Sequence, residues 1–182
     1  MPSFPAPAED VRGEPEPAAG KLSRRVEAAF RAIERERMRD VPILNPALRV
    51  AVAGMRPFGD AWLSVLITPW FINLMLLPGS EEEARAWSRV PVGTKIARRF
   101  PAGTFEFICG AEDAIGPYQM CSLFSPVLEF ENQDAALAAA EAALGAVLDS
   151  NLWDDARQRP EDSNAKKEDT NLSRRDLFSG IL

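Results

Sequence analysis

AWLSVLITPWFINLMLLPG, from Ala61 to Gly79, is the most apolar run of the 182-residue chain, and its reading decides the fold. It contains no Lys, Arg, Asp or Glu and carries two of the four tryptophans. An apolar stretch of about 18 residues is long enough to cross a bilayer. Pro69 in the middle, the polar Ser64, Thr68 and Asn73, and the tight closure by Asp60 and Pro78 argue against a span. β-Branched and aromatic residues are frequent, which suits strands. The run therefore reads as two adjacent strands, Trp62 to Ile67 and Trp70 to Leu77, broken at Thr68-Pro69. A proline is tolerated at such a break because no ladder hydrogen bond is asked of it. Alternation sets Leu63, Val65 and Ile67 on a face that meets the core. Trp62, Ser64, Leu66 and Thr68 fall on the other, which is expected to be half wet and to make contacts. The run is the buried centre of a sheet, part of which can floor a groove for a partner.

Working outward, Leu48, Val50 and Val52 alternate as a preceding strand, and Phe58-Gly59-Asp60 supplies turn chemistry. Three short strands joined by short turns make an antiparallel meander. Ser80-Glu81-Glu82-Glu83 begins a capping-box helix of about two turns, ended by Pro91 and Gly93. Thr94 to Phe100 and Thr104 to Cys109 form a hairpin around Pro101-Ala102-Gly103. Gly116-Pro117 marks a turn, and Tyr118 to Phe124 reads as either a strand or an ordered loop. Asn132 caps a last helix, Gln133 to about Leu148, with Leu137, Ala140, Leu144, Val147 and Leu148 as its apolar stripe. Before the meander, Leu22, Val26, Phe30 and Ile33 share one helical face, and Pro42 stops that helix. The element order gives an α+β fold: a two-layer sandwich of a mainly antiparallel sheet, meander plus hairpin, with helices on one face. The order is similar to that of secretion-chaperone-like folds.

Residues 1–20 have five prolines and few large apolar groups, and read as a disordered arm. Residues 21–150 form the single folded domain, and 151–182 a flexible polar tail. No apolar leader is visible at the start, so a soluble cytoplasmic protein is expected, without membrane insertion. The −6 net charge is uneven. Residues 41–149 hold seven basic and twelve acidic side chains, while the flanking segments are nearly balanced. Such a domain is a poor binder of nucleic acid and a plausible acceptor for a basic peptide.

The chain has no histidine, which removes histidine triads, histidine metal ligands and histidine acid–base chemistry. A zinc site on Cys109 and Cys121 would need two carboxylates as well, an unusual set. Neither thiol has a visible cationic activator, so both are expected to be structural, buried and reduced. No catalytic residue and no cofactor is expected.

NPALRVAVAGMRPFGDAWLSVLITPWFINLMLLPG, then FPAGTFEFICG, then IGPYQMCSLFSPVLEFEN resemble the HybE/HupJ family of [NiFe]-hydrogenase assembly chaperones. The match is ordered and runs from about Arg24 to Leu148. LxTPWFxNLxLLPG with a later CSLFSP is specific as a combination. Some members are fused to a rubredoxin, and this chain has no CxxC pair of that kind. The resemblance implies cytoplasmic handling of a hydrogenase precursor before export. The partner would be the small subunit with its twin-arginine signal peptide, the large subunit, or another maturation factor.

For peptide binding across the sheet or along its edge, Trp62, Trp70, Phe71, Phe105 and Tyr118 are candidate anchors, although core packing is the commoner role for each such aromatic. Glu106, Glu112 and Asp113 are candidate partners for arginines, whose planar fork suits carboxylates. The tail adds a further motif. Ser173-Arg174-Arg175-Asp176-Leu177-Phe178 resembles the twin-arginine consensus S-R-R-x-F-L with its last two residues exchanged. It has no apolar region after it and lies at the wrong end for an export signal. Leu22-Ser23-Arg24-Arg25 repeats part of it within a helical pattern, so coincidence is one reading and docking to a maturation factor another. A third is a tethered mimic, with Arg174, Arg175, Leu177 and Phe178 occupying the protein's own groove at high effective concentration. On that reading, deleting residues 170–182 tightens binding of a precursor peptide in a fluorescence-anisotropy titration. Equal or weaker binding would contradict it.

Overall fold

The computed structural model describes residues 15–39 and 41–151. The tail motif at 173–178 lies outside the described residues. Among the described residues three helices and six strands follow one another as α1 (Pro15–Arg37), β1 (Ala51–Phe58), β2 (Ala61–Ile67), β3 (Ile72–Pro78), α2 (Glu81–Trp87), β4 (Lys95–Phe100), β5 (Gly103–Glu112), β6 (Gly116–Phe124) and α3 (Gln133–Val147). The strands form one sheet in the order β1-β2-β3-β6-β5-β4, with every neighbouring pair antiparallel. Two meanders are thus joined along β3 and β6. The segment that read as strand or loop is the strand β6, paired to β3 from Ile72↔Phe124 to Leu76↔Gln119.

The apolar run supplies β2 and β3, the centre of the sheet, with every residue from Leu63 to Trp70 and from Ile72 to Leu77 buried. The break at Thr68-Pro69 is a tight turn. The Thr68 backbone N–H donates to the Phe71 carbonyl at 2.9 Å, and the Thr68 hydroxyl accepts from the Phe71 N–H at 2.9 Å. A threonine that satisfies the backbone of its own turn has a reason to be buried. Trp70 and Phe71 belong to this turn, so β3 begins at Ile72 instead of Trp70.

The α+β class and the antiparallel sheet agree with the sequence, but the helices lie on both faces instead of one. Leu63, Val65, Ile67, Ile72, Leu74 and Leu76 pack with Ala136, Ala139, Ala140, Ala143 and Leu144 of α3. Leu66, Met75 and Leu77, on the opposite face by strand alternation, pack with Val26, Ala29 and Phe30 of α1. The face expected to be half wet is therefore the floor of a second core. Its hydroxyls misled: Thr68 serves its turn, and Ser64 is fully buried between strands. α1 also begins at Pro15, inside the segment expected to be a disordered arm to residue 20. Proline fits the first turn of a helix, where its missing N–H has no partner to lose, and Ala18 and Ala19 are strong helix formers.

β1 lies further along than expected, at Ala51–Phe58 instead of Leu48 to Val52. Its register with β2 shifts between Ala53 and Arg56, which places a bulge at Gly54. Phe58 pairs with Ala61 across Gly59-Asp60, with Gly59 at φ 56°. The Phe58 ring stacks on Phe100 with centroids 4.6 Å apart. These residues belong to β1 and β4, the two edge strands. In a flat sheet five strand spacings would hold the edges about 24 Å apart. The sheet is therefore strongly coiled around the first core, with its α1 face convex. α1 covers only part of that face: Lys95, Ala97, Arg99 and Ile108 of β4 and β5 remain exposed.

The edges differ. At β1 the Glu27 carboxylate accepts the Val52 N–H at 3.1 Å, and Arg31 reaches the Val50 carbonyl at 3.4 Å. β4 is KIARRF, with three cations along its length.

Gly54 makes the docking of α3 testable. It sits at φ 62°, and a Cβ there would lie 2.3 Å from Leu144 Cδ2. Gly54→Ala combines backbone strain with overpacking and is expected to cost roughly 1–3 kcal/mol. A urea denaturation midpoint equal to wild type would show that α3 can move away freely.

Candidate functional site

The residues proposed from the sequence do not converge on one site. Trp70 and Phe105 are core residues, 7% and 3% exposed. Phe105 packs edge-on against Phe100, with centroids 5.5 Å apart. Phe71 and Tyr118 are half-buried on the α1 side, each edge-on to Phe30 at 6.2 Å. The Tyr118 ring lies across Gly110, where a Cβ would meet it at 2.3 Å. Burial pushes the Tyr118 phenol upward; Glu112 adds to this and Arg37 opposes it. These rings bind α1 to the sheet.

The carboxylates are already engaged by the protein's own cations. Glu112 holds Arg37 through two bonds of 2.7 and 3.1 Å. That pairing holds the Arg37 guanidinium above its ordinary pKa. Glu106 pairs with Lys95 at 3.0 Å, across the β4–β5 register. Asp113 is exposed in the β5–β6 turn, beside Ala114, whose carbonyl accepts from Arg25 Nε at 2.7 Å.

Of the proposed anchors, Trp62 lines an open cleft. It stands near the start of β2, half-buried, paired with Pro57 and Leu77. The Gly79 N–H donates to the Asp60 carbonyl at 2.9 Å and to the Glu83 carboxylate at 3.0 Å. These bonds bring the β1–β2 turn against the β3–α2 corner. Between them is an open cleft of about 580 Å³, lined by Pro57, Asp60, Trp62, Glu82, Glu83 and Ala86, with backbone around them. No Lys or Arg lines it. Among the described residues no cation pairs with Asp60 or Glu82. A smaller cavity of about 290 Å³, which shares Asp60 and Glu83 with the cleft, is lined on its far side by Arg98 and Arg99. Arg98 is committed there, donating to Gln119 at 2.8 Å and lying 5.2 Å over the Trp87 ring.

Sequence reasoning missed this cleft because each acid had a local explanation. Asp60 read as a turn residue and Glu81, Glu82 and Glu83 as first-turn acids of α2. Ser80 does cap that helix, its hydroxyl accepting the Glu83 N–H at 3.1 Å. The available signal was two acidic turns at opposite ends of the β2–β3 hairpin pair, which antiparallel pairing must bring together.

Cys109 and Cys121 are buried and unbridged, both on the face of the first core. Burial pushes the Cys109 thiol upward, and Arg98 only partly opposes that. A raised pKa means less thiolate at a given pH, hence slow attack on electrophiles. Iodoacetamide at pH 8 is expected to label neither thiol in the native protein and both after unfolding, as read by mass spectrometry. One fast-reacting thiol in the native state would mark a reactive site. Among the described residues no group of three or more His, Cys, Asp or Glu is placed to hold a metal. Among them, too, no helix is long and apolar enough to cross a membrane.

The chain and its fold are both matched among proteins of hydrogenase assembly. The family model described as [NiFe]-hydrogenase assembly chaperone HybE matches residues 21–180. Protein HoxT of Cupriavidus necator is 43% identical over 129 residues, 66% of this chain and 72% of its own length. The hydrogenase expression/formation protein HupJ of Bradyrhizobium diazoefficiens is 36% identical over 154 residues, 85% of each chain. The solution structure of HybE from Escherichia coli is similar at a TM-score of 0.53 and 26% identity, over 84% of this chain and 88% of that one. This chain belongs to the HybE family of [NiFe]-hydrogenase assembly chaperones.

Proposed function

We propose that this protein is a non-catalytic chaperone that holds a [NiFe]-hydrogenase precursor in the cytoplasm, the small subunit with its basic signal peptide in particular. The observation that carries the reading is the family match over residues 21–180, on a chain with an acidic folded region. Several features support a holding role over a chemical one. Both thiols are buried, and the carboxylates Glu106 and Glu112 are used in ion pairs. The convex face between α1 and the β4 edge exposes Ile108 and Ala97 beside the Lys95–Glu106 pair, a mixed surface open to an extended segment. β-Addition at β4 would supply backbone hydrogen bonds, with side chains read alternately, to the part of the segment beyond its basic residues, since Lys95 and Arg99 repel a like charge.

The alternative within the same family role is a scaffold that contacts folded subunits, the large subunit included. The two separate in a pull-down from a host that makes the hydrogenase. The tagged protein is expected to capture the small-subunit precursor and to lose it when the signal peptide is removed. Capture regardless of the signal peptide, or of the large subunit alone, would move the contact to the folded partner.

A further inference from the structure

The structure assigns the cleft between the β1–β2 turn and α2 as the docking site for an arginine-bearing extended segment of the precursor, an inference that rests on the chaperone reading above. Three observations lead there.

First, the charge is of one sign. Asp60, Glu82 and Glu83 face a common space with no Lys or Arg on its lining. Like carboxylates around one cleft repel each other, and an incoming guanidinium relieves that repulsion. Second, the carboxylates are available. Glu112 and Glu106 are occupied by Arg37 and Lys95, so an arginine binding there must first displace a tethered cation. Asp60 and Glu82 make no ion pair among the described residues, and Glu83 commits one oxygen to the Gly79 N–H. Third, the cleft has an aromatic wall. Trp62 is only half-buried although its neighbours from Leu63 onward are buried. A guanidinium can stack on an indole while its N–H groups reach carboxylates, a combination an ammonium serves less well. Pro57 and Ala86 add apolar surface for the methylene stem of the side chain.

The volume of about 580 Å³ suits side chains from a short segment and excludes a folded domain. The segment must therefore be extended and accessible, as the basic start of a signal peptide is.

The test uses the full chain and a synthetic peptide with two adjacent arginines from the small-subunit signal segment, beside the same peptide with both arginines changed to glutamine. The triple variant Asp60→Asn, Glu82→Gln, Glu83→Gln keeps an acceptor at position 83 for the Gly79 N–H, so the fold is expected to survive. Calorimetric titration should show binding of the arginine peptide weakened at least about tenfold, and steeper salt dependence for wild type than for the variant. The glutamine peptide should bind both proteins equally. If the variant binds the arginine peptide as wild type does, the cleft assignment falls while the chaperone reading stands. If wild type captures no hydrogenase precursor at all, both fall together.

Discussion

The fold depends on one buried carboxamide. Asn45 is 5% exposed, and its Nδ2 donates to the carbonyls of Val127 and Phe130 at 2.9 and 2.7 Å. Its Oδ1 accepts from the Ala47 N–H at 2.9 Å, and its own N–H donates to the Pro69 carbonyl at 2.7 Å. Three segments are thereby fixed to each other: the approach to β1, the turn between β2 and β3, and the connection from β6 to α3. Each is irregular backbone that would otherwise leave polar groups unpaired in the interior, at a cost of about 1–3 kcal/mol for each group. With those ends held, β2 and β3 can run as wholly apolar strands, and the sheet is free to coil around its first core.

Coiling divides the labour between the two faces. The concave side is closed by α3, whose alanines let it approach the sheet closely. The convex side is too broad for one helix, so α1 covers the first meander and the β6 end and leaves β4 and β5 bare. The bare surface results from this mismatch between a six-stranded sheet and two long helices, while the acidic cleft lies where the β1–β2 turn meets the β3–α2 corner. A binding protein needs surface that its own packing does not consume, and here the surplus is set by geometry.

Much of this was legible in the sequence. The apolar run declared the sheet centre, Ser80 and Asn132 declared two helix starts, and both caps accept the expected N–H groups. The resemblance carried by LxTPWFxNLxLLPG and CSLFSP led to the family. What could not be read was which face each helix takes, because both faces of β2 and β3 are apolar and alternation then loses its contrast. The site was less legible still. Lys95 meets Glu106 diagonally, Glu106 standing opposite Ala97, which is invisible before the register is known. Arg37 and Glu112 are 75 positions apart. The acids of the cleft each had a sufficient local role in capping or turning, so nothing in the one-dimensional pattern set them together.

The basic edge strand has a consequence for the protein's own solubility. An exposed edge is a template for pairing with any extended chain, including a second copy of the same strand. The exposed Lys95 and Arg99 on β4 would be set against the same cations in a self-paired edge, and their repulsion disfavours growth of a continuous sheet from molecule to molecule. A partner segment without that charge meets no such barrier. An open edge charged in this way resists polymerising on itself without being covered by another element.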